Sequence, residues 1–223
     1  MSDVTNPPET SRTVVHLVRH GEVHNPTGLL YGRLPDFHLS ELGREMAERA
    51  AEHLRGRDVT HLRCSPLERA QETMEPIAAQ FGLPVTTDDK VIEAANRFEG
   101  MRVAWNGALR SPKSWWLFRD VRVPTWGEPY VEVVARMRVA VREAAREAAG
   151  HEAVIVSHQL PIWMARCDAE GRRLVHDPRK RQCTLASVTS LTLLGDRVVS
   201  TTYEEPSADL VRAKRTRKFV AGA

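Results

Sequence analysis

Two histidines in this sequence directly follow short apolar runs, a position from which a side chain can take part in chemistry at the edge of a sheet. Residues 14–18 lead into Arg19 and His20, and residues 153–157 lead into His158. In open α/β sheets, ligands bind outside the carboxyl ends of the strands, so neighbouring strands would bring both histidines into one crevice. Arg69 lies near the start of a predicted helix, where backbone N–H groups favour anions.

These residue types suit phosphoryl transfer. An arginine carries a fixed fork of N–H donors that matches phosphate oxygens, and lysine is not an equivalent replacement. A neutral imidazole among such cations is a nucleophile that needs no metal. We therefore interpret Arg19, His20, Arg69 and His158 as a phosphoryl-transfer centre.

A metal-dependent hydrolase is the weaker alternative from the same stretch of chain. Its ligands would be His16, His20, His24 and His38, which alternate along a strand and a loop without a paired carboxylate. We expect His16 to face the sheet and to form hydrogen bonds there. Three cysteines without a CxxC spacing, at positions 64, 167 and 183, indicate neither a disulfide framework nor a zinc site. No metal and no cofactor is therefore expected.

The elements that must position these residues alternate between strand and helix. Residues 14–18 and 153–158 are typical of strands that are buried on both faces. An amphipathic helix with Ser40 as its N-cap is indicated by apolar residues at every fourth position, namely Leu42, Met46, Ala50 and Leu54. After a second strand at 59–64, Ser65 and Glu68 predict a capping box, with Pro66 at the first helical position.

The second half of the chain completes the pattern. A long helix is predicted over residues 128–149, with Val131 on its apolar stripe and Gly150 as its C-terminal cap. The last two strands form an antiparallel pair that turns at Gly195 and Asp196. The predicted fold class is α/β: a three-layer sandwich whose central sheet is mostly parallel, with helices on both faces.

Length and composition support one domain with polar ends. The chain has 223 residues, of which 42% are hydrophobic, enough for one sizeable core. We expect a disordered segment at 1–12, a domain at 13–205 with a lid insertion at about 97–127, and a basic tail at 206–223. Basic residues cluster in the tail and in RKR at 179–181. The tail is interpreted as solvated charge, and no nucleic-acid partner is expected. No apolar window approaches a membrane span. The three cysteines without a disulfide framework fit a reducing compartment, so a cytoplasmic protein is expected.

The motifs also resemble a known family. LVRHGEV is similar to the RHG signature of the histidine phosphatase superfamily, in its phosphoglycerate mutase-like branch. FHLSELGREMA, CSPLERAQET, WGEPYVEVVARM and VIVSH resemble the further blocks of that family in the same order, over residues of about 14 to 194. The ordered set makes the resemblance much more specific than the RHG tripeptide alone.

The resemblance implies a role for each site residue. His20 would be the nucleophile that becomes phosphohistidine, while Arg19, Arg69 and His158 would bind the oxygens of the transferring phosphoryl group. Glu93 would donate the proton to the leaving oxygen, and Glu99 or Glu22 are alternatives for that role.

Two positions depart from the family pattern. The second histidine is usually followed by glycine, whereas here His158 is followed by Gln159, whose backbone N–H could still contact phosphate. Only two residues separate Glu22 from Asn25 instead of three, and Asn25 is expected as a further phosphate contact.

The resulting hypothesis is a metal-independent phosphomonoester hydrolase that acts on a small phosphorylated metabolite through phosphohistidine. True mutases of the family have a Glu-Arg-His-Tyr-Gly type segment around the acid, where this chain has EAANRFEG. A phosphoglycerate mutase-type phosphotransferase and a weakly catalytic phosphate-recognition module are the alternatives. A homodimer is left open, and the sequence does not identify the substrate.

Overall fold

The computed structural model describes residues 12–101 and 127–213. Most of the predicted disordered segment, most of the predicted lid with its tryptophans, and the end of the basic tail lie outside these described residues. Residue 12 belongs to the first strand rather than to the preceding polar segment.

The described elements alternate between strand and helix as predicted. In chain order they are β1 (Arg12–Arg19), α1 (Glu41–His53), β2 (Val59–Cys64), α2 (Glu68–Phe81), β3 (Val85–Thr87), a 3₁₀ turn (Asp89–Val91), α3 (Tyr130–Glu147), β4 (Glu152–Ser157), α4 (Gln159–Ala169), a second 3₁₀ turn (Pro178–Lys180), β5 (Val188–Leu194) and β6 (Arg197–Glu204).

One six-stranded sheet with the order β3-β2-β4-β1-β5-β6 forms the middle layer. The four strands from β3 to β1 are parallel, and β5 pairs antiparallel with both β1 and β6. In the register of β1 and β4, Arg19 lies opposite Ser157, so the residues that follow both strands meet at one edge. The sheet is therefore mostly parallel, and the predicted α/β fold is confirmed.

Successive side chains of the central strands point to opposite faces of the sheet, so they divide the core into two parts. Leu17 and Ile155 belong to the cluster that packs against α3 and α4. Val18 and Val156 belong to the cluster that packs against α1 and α2. Both faces of the sheet are thus covered by helices, which explains why the central strands are apolar almost without interruption.

Helix caps follow the sequence in one case and depart from it in another. Ser40 caps α1 by accepting a hydrogen bond from the Gly43 N–H at 3.0 Å, as predicted. The predicted capping box at Ser65 and Glu68 is wrong, because α2 begins at Glu68 and its N-cap Leu67 has no side-chain cap bond. The Ser65 hydroxyl accepts from the Leu67 N–H at 3.4 Å, before the helix begins, and its shorter bond is with His158, which is a long-range partner.

Two further predictions need correction. Val131 is 66% exposed, and the buried face of α3 is formed by residues such as Tyr130, Val133 and Met137. The first residues of the predicted tail are not free in solvent, since residues 208–213 are helical and Leu210 and Val211 pack against the core. Among the described residues, no helix is long and apolar enough to cross a membrane.

Candidate active site

His20 lies at the carboxyl end of β1 with a defined tautomer. Its Nδ1 is 2.7 Å from the carbonyl oxygen of Gly21, and because a carbonyl only accepts, Nδ1 carries the proton. Burial holds the pKa of His20 well below its ordinary value, and the charges of Arg19 and Arg69 lower it further. The ring is therefore neutral, and Nε2 keeps the lone pair that a nucleophile needs.

His158 lies beside it at the end of β4. The two ring centroids are 5.2 Å apart, and the backbone N–H of His20 donates to the Ser157 carbonyl across the strand pair. His158 Nε2 is 2.7 Å from the Ser65 hydroxyl, while its buried Nδ1 has no hydrogen-bond partner. Burial also holds the pKa of His158 well below its ordinary value.

The half-buried Arg19 and the buried Arg69 bring two cations to the same place. Arg19 Nη1 donates to the Cys183 carbonyl at 2.6 Å, and Arg69 Nη2 donates to the Gly32 carbonyl at 2.5 Å. Arg19 Nε, Arg69 Nε and Arg69 Nη1 are buried without a partner. Since unpaired buried donors are costly, a group of them around two neutral histidines is the arrangement expected of an anion site.

A cavity of about 400 Å³ opens in front of His20, and Arg19 and Glu93 also line it. Burial raises the pKa of Glu93, while Arg69 and Arg19 oppose that shift by stabilising the carboxylate. A carboxyl group with a raised pKa can hold a proton and deliver it to a leaving oxygen. Glu93 Oε1 accepts from the Ala94 N–H at 2.8 Å, which orients the group.

The structure separates Glu93 from the two alternative glutamates. Glu99 lines a different hollow, where its Oε1 accepts from the N–H groups of Arg33 and Asn96 at 3.1 and 3.2 Å. Glu22 accepts from the Ser40 hydroxyl at 3.0 Å. Among the three, Glu93 alone lines the cavity with His20.

The loop after β1 is held by close backbone contacts. The Gly21 N–H donates to Thr73 Oγ1 at 3.0 Å, and Thr73 donates to the Arg69 carbonyl. A Cβ at Gly21 would overlap the carbonyl of Gly43, and a Cβ at Gly43 would overlap the carbonyl of Glu22. The glycines of the RHG and LSELG blocks therefore let the start of α1 pack directly against this loop.

Of the two remaining residues that were predicted to contact phosphate, one lines the cavity and the other does not. Asn25 does not line the cavity, because its amide is engaged with Leu29, donating to the carbonyl at 2.8 Å and accepting from the N–H at 3.1 Å. Gln159 does line it, as the first residue of α4. Its side chain contacts Arg181 and the Cys183 carbonyl.

Sequence reasoning missed several residues of the cavity, among them Tyr31 and Arg181. Tyr31 lies 4.7 Å below the Arg69 guanidinium, with its ring edge toward His20 and its face stacked on Phe37. Arg181, which belongs to the basic RKR cluster at 179–181, also lines the cavity. Only the aromatic and basic residue types could have indicated them, since neither belongs to a motif.

The other histidines of the first stretch have separate partners. His16 is buried between Ser190 and Glu152, as expected for a residue facing the sheet. His38 contacts Glu72 at the surface. Within the described ranges, no three His, Cys, Asp or Glu side chains are grouped so that they could hold a metal ion.

Comparison with known proteins identifies the family. Residues 15–206 match the model of the histidine phosphatase superfamily, branch 1. Uncharacterized protein Rv0525 of Mycobacterium tuberculosis is 56% identical over 197 residues, which cover 88% of this chain and 98% of that protein. Probable phosphoglycerate mutase GpmB of Yersinia enterocolitica is 30% identical over 187 residues, covering 78% and 83%.

A solved structure agrees. The native mycobacterial glucosyl-3-phosphoglycerate phosphatase Rv2419c superposes with a TM-score of 0.69 at 26% identity, covering 86% of this chain and 97% of that one. The fold, the paired histidines and the family match lead to one conclusion: this chain belongs to the histidine phosphatase superfamily.

Proposed function

We propose that this protein hydrolyses small phosphomonoesters without a metal ion, through a phosphohistidine formed on His20. The observation that carries the proposal is the state of His20. It is a buried, neutral imidazole with Nδ1 occupied by a carbonyl and with unpaired arginine donors around it. A phosphoryl group brought to Nε2 would supply the oxygens that those donors lack.

In the first step, His20 Nε2 attacks phosphorus, and the bond between phosphorus and the leaving oxygen breaks as the P–N bond forms. Glu93 transfers its proton to the leaving oxygen, so the alcohol departs neutral. Arg19, Arg69 and His158 stabilise the charge that spreads over the three equatorial oxygens in the transition state.

In the second step, water attacks the phosphoryl group while Glu93, now a carboxylate, accepts a proton from it. The P–N bond breaks, inorganic phosphate leaves, and His20 returns to its neutral form. Because Glu93 acts as acid and then as base, its pKa must allow both states, and burial against arginine charge provides that balance.

One solved structure and one sequence segment support hydrolysis, and one relative leaves transfer as the second candidate. The superposed Rv2419c structure is a phosphatase, and the acid segment EAANRFEG lacks the mutase-type sequence. The GpmB relative at 30% identity has a name that specifies a mutase. Both reactions share the first step and differ in whether water or a second substrate accepts the phosphoryl group.

The test is release of inorganic phosphate from a panel of phosphomonoesters in excess EDTA. Wild type is expected to turn over, and His20→Ala to lose activity by a factor of roughly 10⁴ or more, as for other covalent nucleophiles. His24→Ala is the matched control, because His24 is an exposed histidine four residues away and its side chain is outside the cavity. Enzyme quenched in alkaline detergent should carry base-stable, acid-labile phosphate that His20→Ala lacks.

Other outcomes would redirect the proposal. Interconversion of 2- and 3-phosphoglycerate without phosphate release would indicate a mutase. Tight binding of orthovanadate by a protein that neither releases nor transfers phosphate would indicate a recognition module. Loss of activity in EDTA that returns with added metal would contradict the metal-independent step.

A further inference from the structure

Arg181 is a cation of the cavity wall whose charge is favoured by the nearby Glu93 carboxyl but which forms no ion pair with it. It lines the cavity together with Arg19 and His20. In the part of the chain that the structure describes, Arg181 makes no ion pair with a carboxylate. Arg179, two residues earlier, is 76% exposed and pairs with Asp177 at 2.8 Å, which is the ordinary arrangement for this basic cluster.

The partners of Arg181 satisfy hydrogen bonds without balancing charge. Its Nε donates to His176 Nε2 at 2.7 Å and its Nη1 donates to Gln159 Oε1 at 3.4 Å, while Tyr130 lines the same wall of the cavity. His176 Nδ1 donates to the Leu174 carbonyl, so the imidazole that accepts from Arg181 is neutral. The two hydrogen bonds use two of the five N–H donors of the guanidinium and hold it at the cavity wall.

The same contacts join Arg181 to the phosphate end of the cavity. Gln159 Nε2 donates to the Cys183 carbonyl at 3.5 Å, and Arg19 donates to that carbonyl as well. A glycine after His158, as in most of the family, would have no side chain to make this bridge. The departure at Gln159 therefore has a structural consequence, which is to fix Arg181 relative to Arg19.

The charges around the cavity do not balance with a phosphate alone. Arg19, Arg69 and Arg181 contribute three positive charges, whereas His20 and His158 are neutral. Glu128 also lines the cavity, but its carboxylate is occupied by Arg33 and Arg136. When Glu93 holds the proton that it must donate, a phosphomonoester dianion leaves one positive charge without compensation. Charges removed from water are stabilised only when they are paired.

We propose that Arg181 forms a second anion subsite, which binds a carboxylate or a second phosphate group on the substrate while its scissile phosphate lies at His20. This inference rests on the proposed function, and it narrows the substrate to monoesters with two anionic groups. Its guanidinium fork suits either group, since both present paired oxygens.

The experiment measures binding in the His20→Ala background, so that it does not depend on turnover. One pair of probes is 3-phosphoglycerate and glycerol 3-phosphate, which differ by a carboxylate in place of a hydroxymethyl group. The other pair is fructose 1,6-bisphosphate and fructose 6-phosphate, which differ by a second phosphate. In at least one pair, titration calorimetry is expected to give a Kd that is lower by a factor of roughly ten or more for the probe with the second anionic group, which is 3-phosphoglycerate or fructose 1,6-bisphosphate. Arg181→Gln should remove that preference, and Arg181→Lys should retain part of it.

Arg179→Gln is the matched control, since it removes a neighbouring arginine that does not line the cavity. Thermal melts of the three arginine variants check that each is folded. The inference is overturned if neither pair shows a preference or if neither probe with a second anionic group binds. It is also overturned if Arg181→Gln raises the Kd of both members of a pair equally. Failure of the proposed function gives a different result: no phosphate release by wild type, with the Arg181-dependent preference intact.

Discussion

Glu128 is expected to matter for catalysis although it does not touch the reacting atoms. Its carboxylate accepts from Arg33 Nη2 at 2.9 Å and from Arg136 Nε and Nη2 at 2.7 and 3.1 Å. Other N–H groups of Arg33 and Arg136 donate to the backbone carbonyls of the segment that ends at Glu93, the proposed acid. Arg33 Nε donates to the Glu93 carbonyl at 2.6 Å, and Arg136 Nη1 donates to the Ile92 carbonyl at 2.7 Å. Glu128 is therefore a positioning residue for Glu93.

The substitution Glu128→Gln removes the negative charge between Arg33 and Arg136, and it turns an amide N–H₂ toward a donor of one of these arginines. The side chains of Glu128 and Arg136 are only 13% and 17% exposed, so water compensates for little of the loss. Hydrogen bonds to charged groups contribute roughly 1.5–3 kcal/mol each, and we expect a stability loss of about 2–3 kcal/mol. A displacement of about 1 Å at a reacting group lowers rates by roughly 10²-fold. We therefore expect a 10- to 100-fold lower kcat with alkyl monoesters.

The leaving group separates positioning from a general loss of structure. Alkyl phosphates need the proton of Glu93, whereas p-nitrophenyl phosphate loses a stable phenolate and depends little on an acid. The assay is kcat/KM for both substrates with wild type, Glu128→Gln and the control Glu132→Gln, which alters an exposed carboxylate in the first turn of α3. Equal losses with both substrates would show that Glu128 acts through stability alone and would refute the reasoning.

Two further outcomes are expected. Because burial raises the pKa of Glu93, activity with alkyl monoesters should fall as the pH rises through that pKa and the carboxyl loses its proton. In Glu93→Gln this pH-dependent fall should disappear, and kcat should be roughly 10²- to 10⁴-fold lower. A fall of activity with rising pH that survives the substitution would argue against Glu93 as the acid. Gly43→Ala should destabilise the protein by about 1–3 kcal/mol in urea unfolding, because the new Cβ overlaps the backbone carbonyl of Glu22, although glycine to alanine ordinarily stabilises a helix. The surface control Glu45→Ala on the same helix should change stability little, and a more stable Gly43→Ala would contradict the close packing.

The sequence predicted those parts of the fold that depend on local patterns. The apolar runs of β1 and β4, the four-residue period of α1 and the cap at Ser40 are decided within a few neighbouring residues, and each was confirmed. The prediction at Ser65 failed for the opposite reason. A hydroxyl that could cap α2 instead bonds His158, 93 residues away, and this competition cannot be inferred from the local pattern.

The candidate site divides in the same way. His20, His158 and Arg69 belong to motifs whose place at strand or helix ends can be inferred from the sequence. Tyr31 and Arg181 lie in irregular segments, and only the folded chain brings them to the cavity. The sequence does not distinguish Arg181 from its neighbours Arg179 and Lys180, which are exposed, whereas Arg181 is half-buried. Burial, rather than charge, sets it apart from the other residues of the RKR cluster.

The meeting of the two histidines depends on the register of β1 and β4. Arg19 lies opposite Ser157, and the parallel pair continues for one more hydrogen bond, from the His20 N–H to the Ser157 carbonyl. Because successive side chains of a strand point to opposite faces, a slip of one residue would exchange Leu17 and Val18 between the two cores. The apolar residues that fill the two helical layers thereby also fix the relative position of His20 and His158. In this fold, the core that stabilises the sheet is what sets the geometry of the proposed phosphoryl transfer.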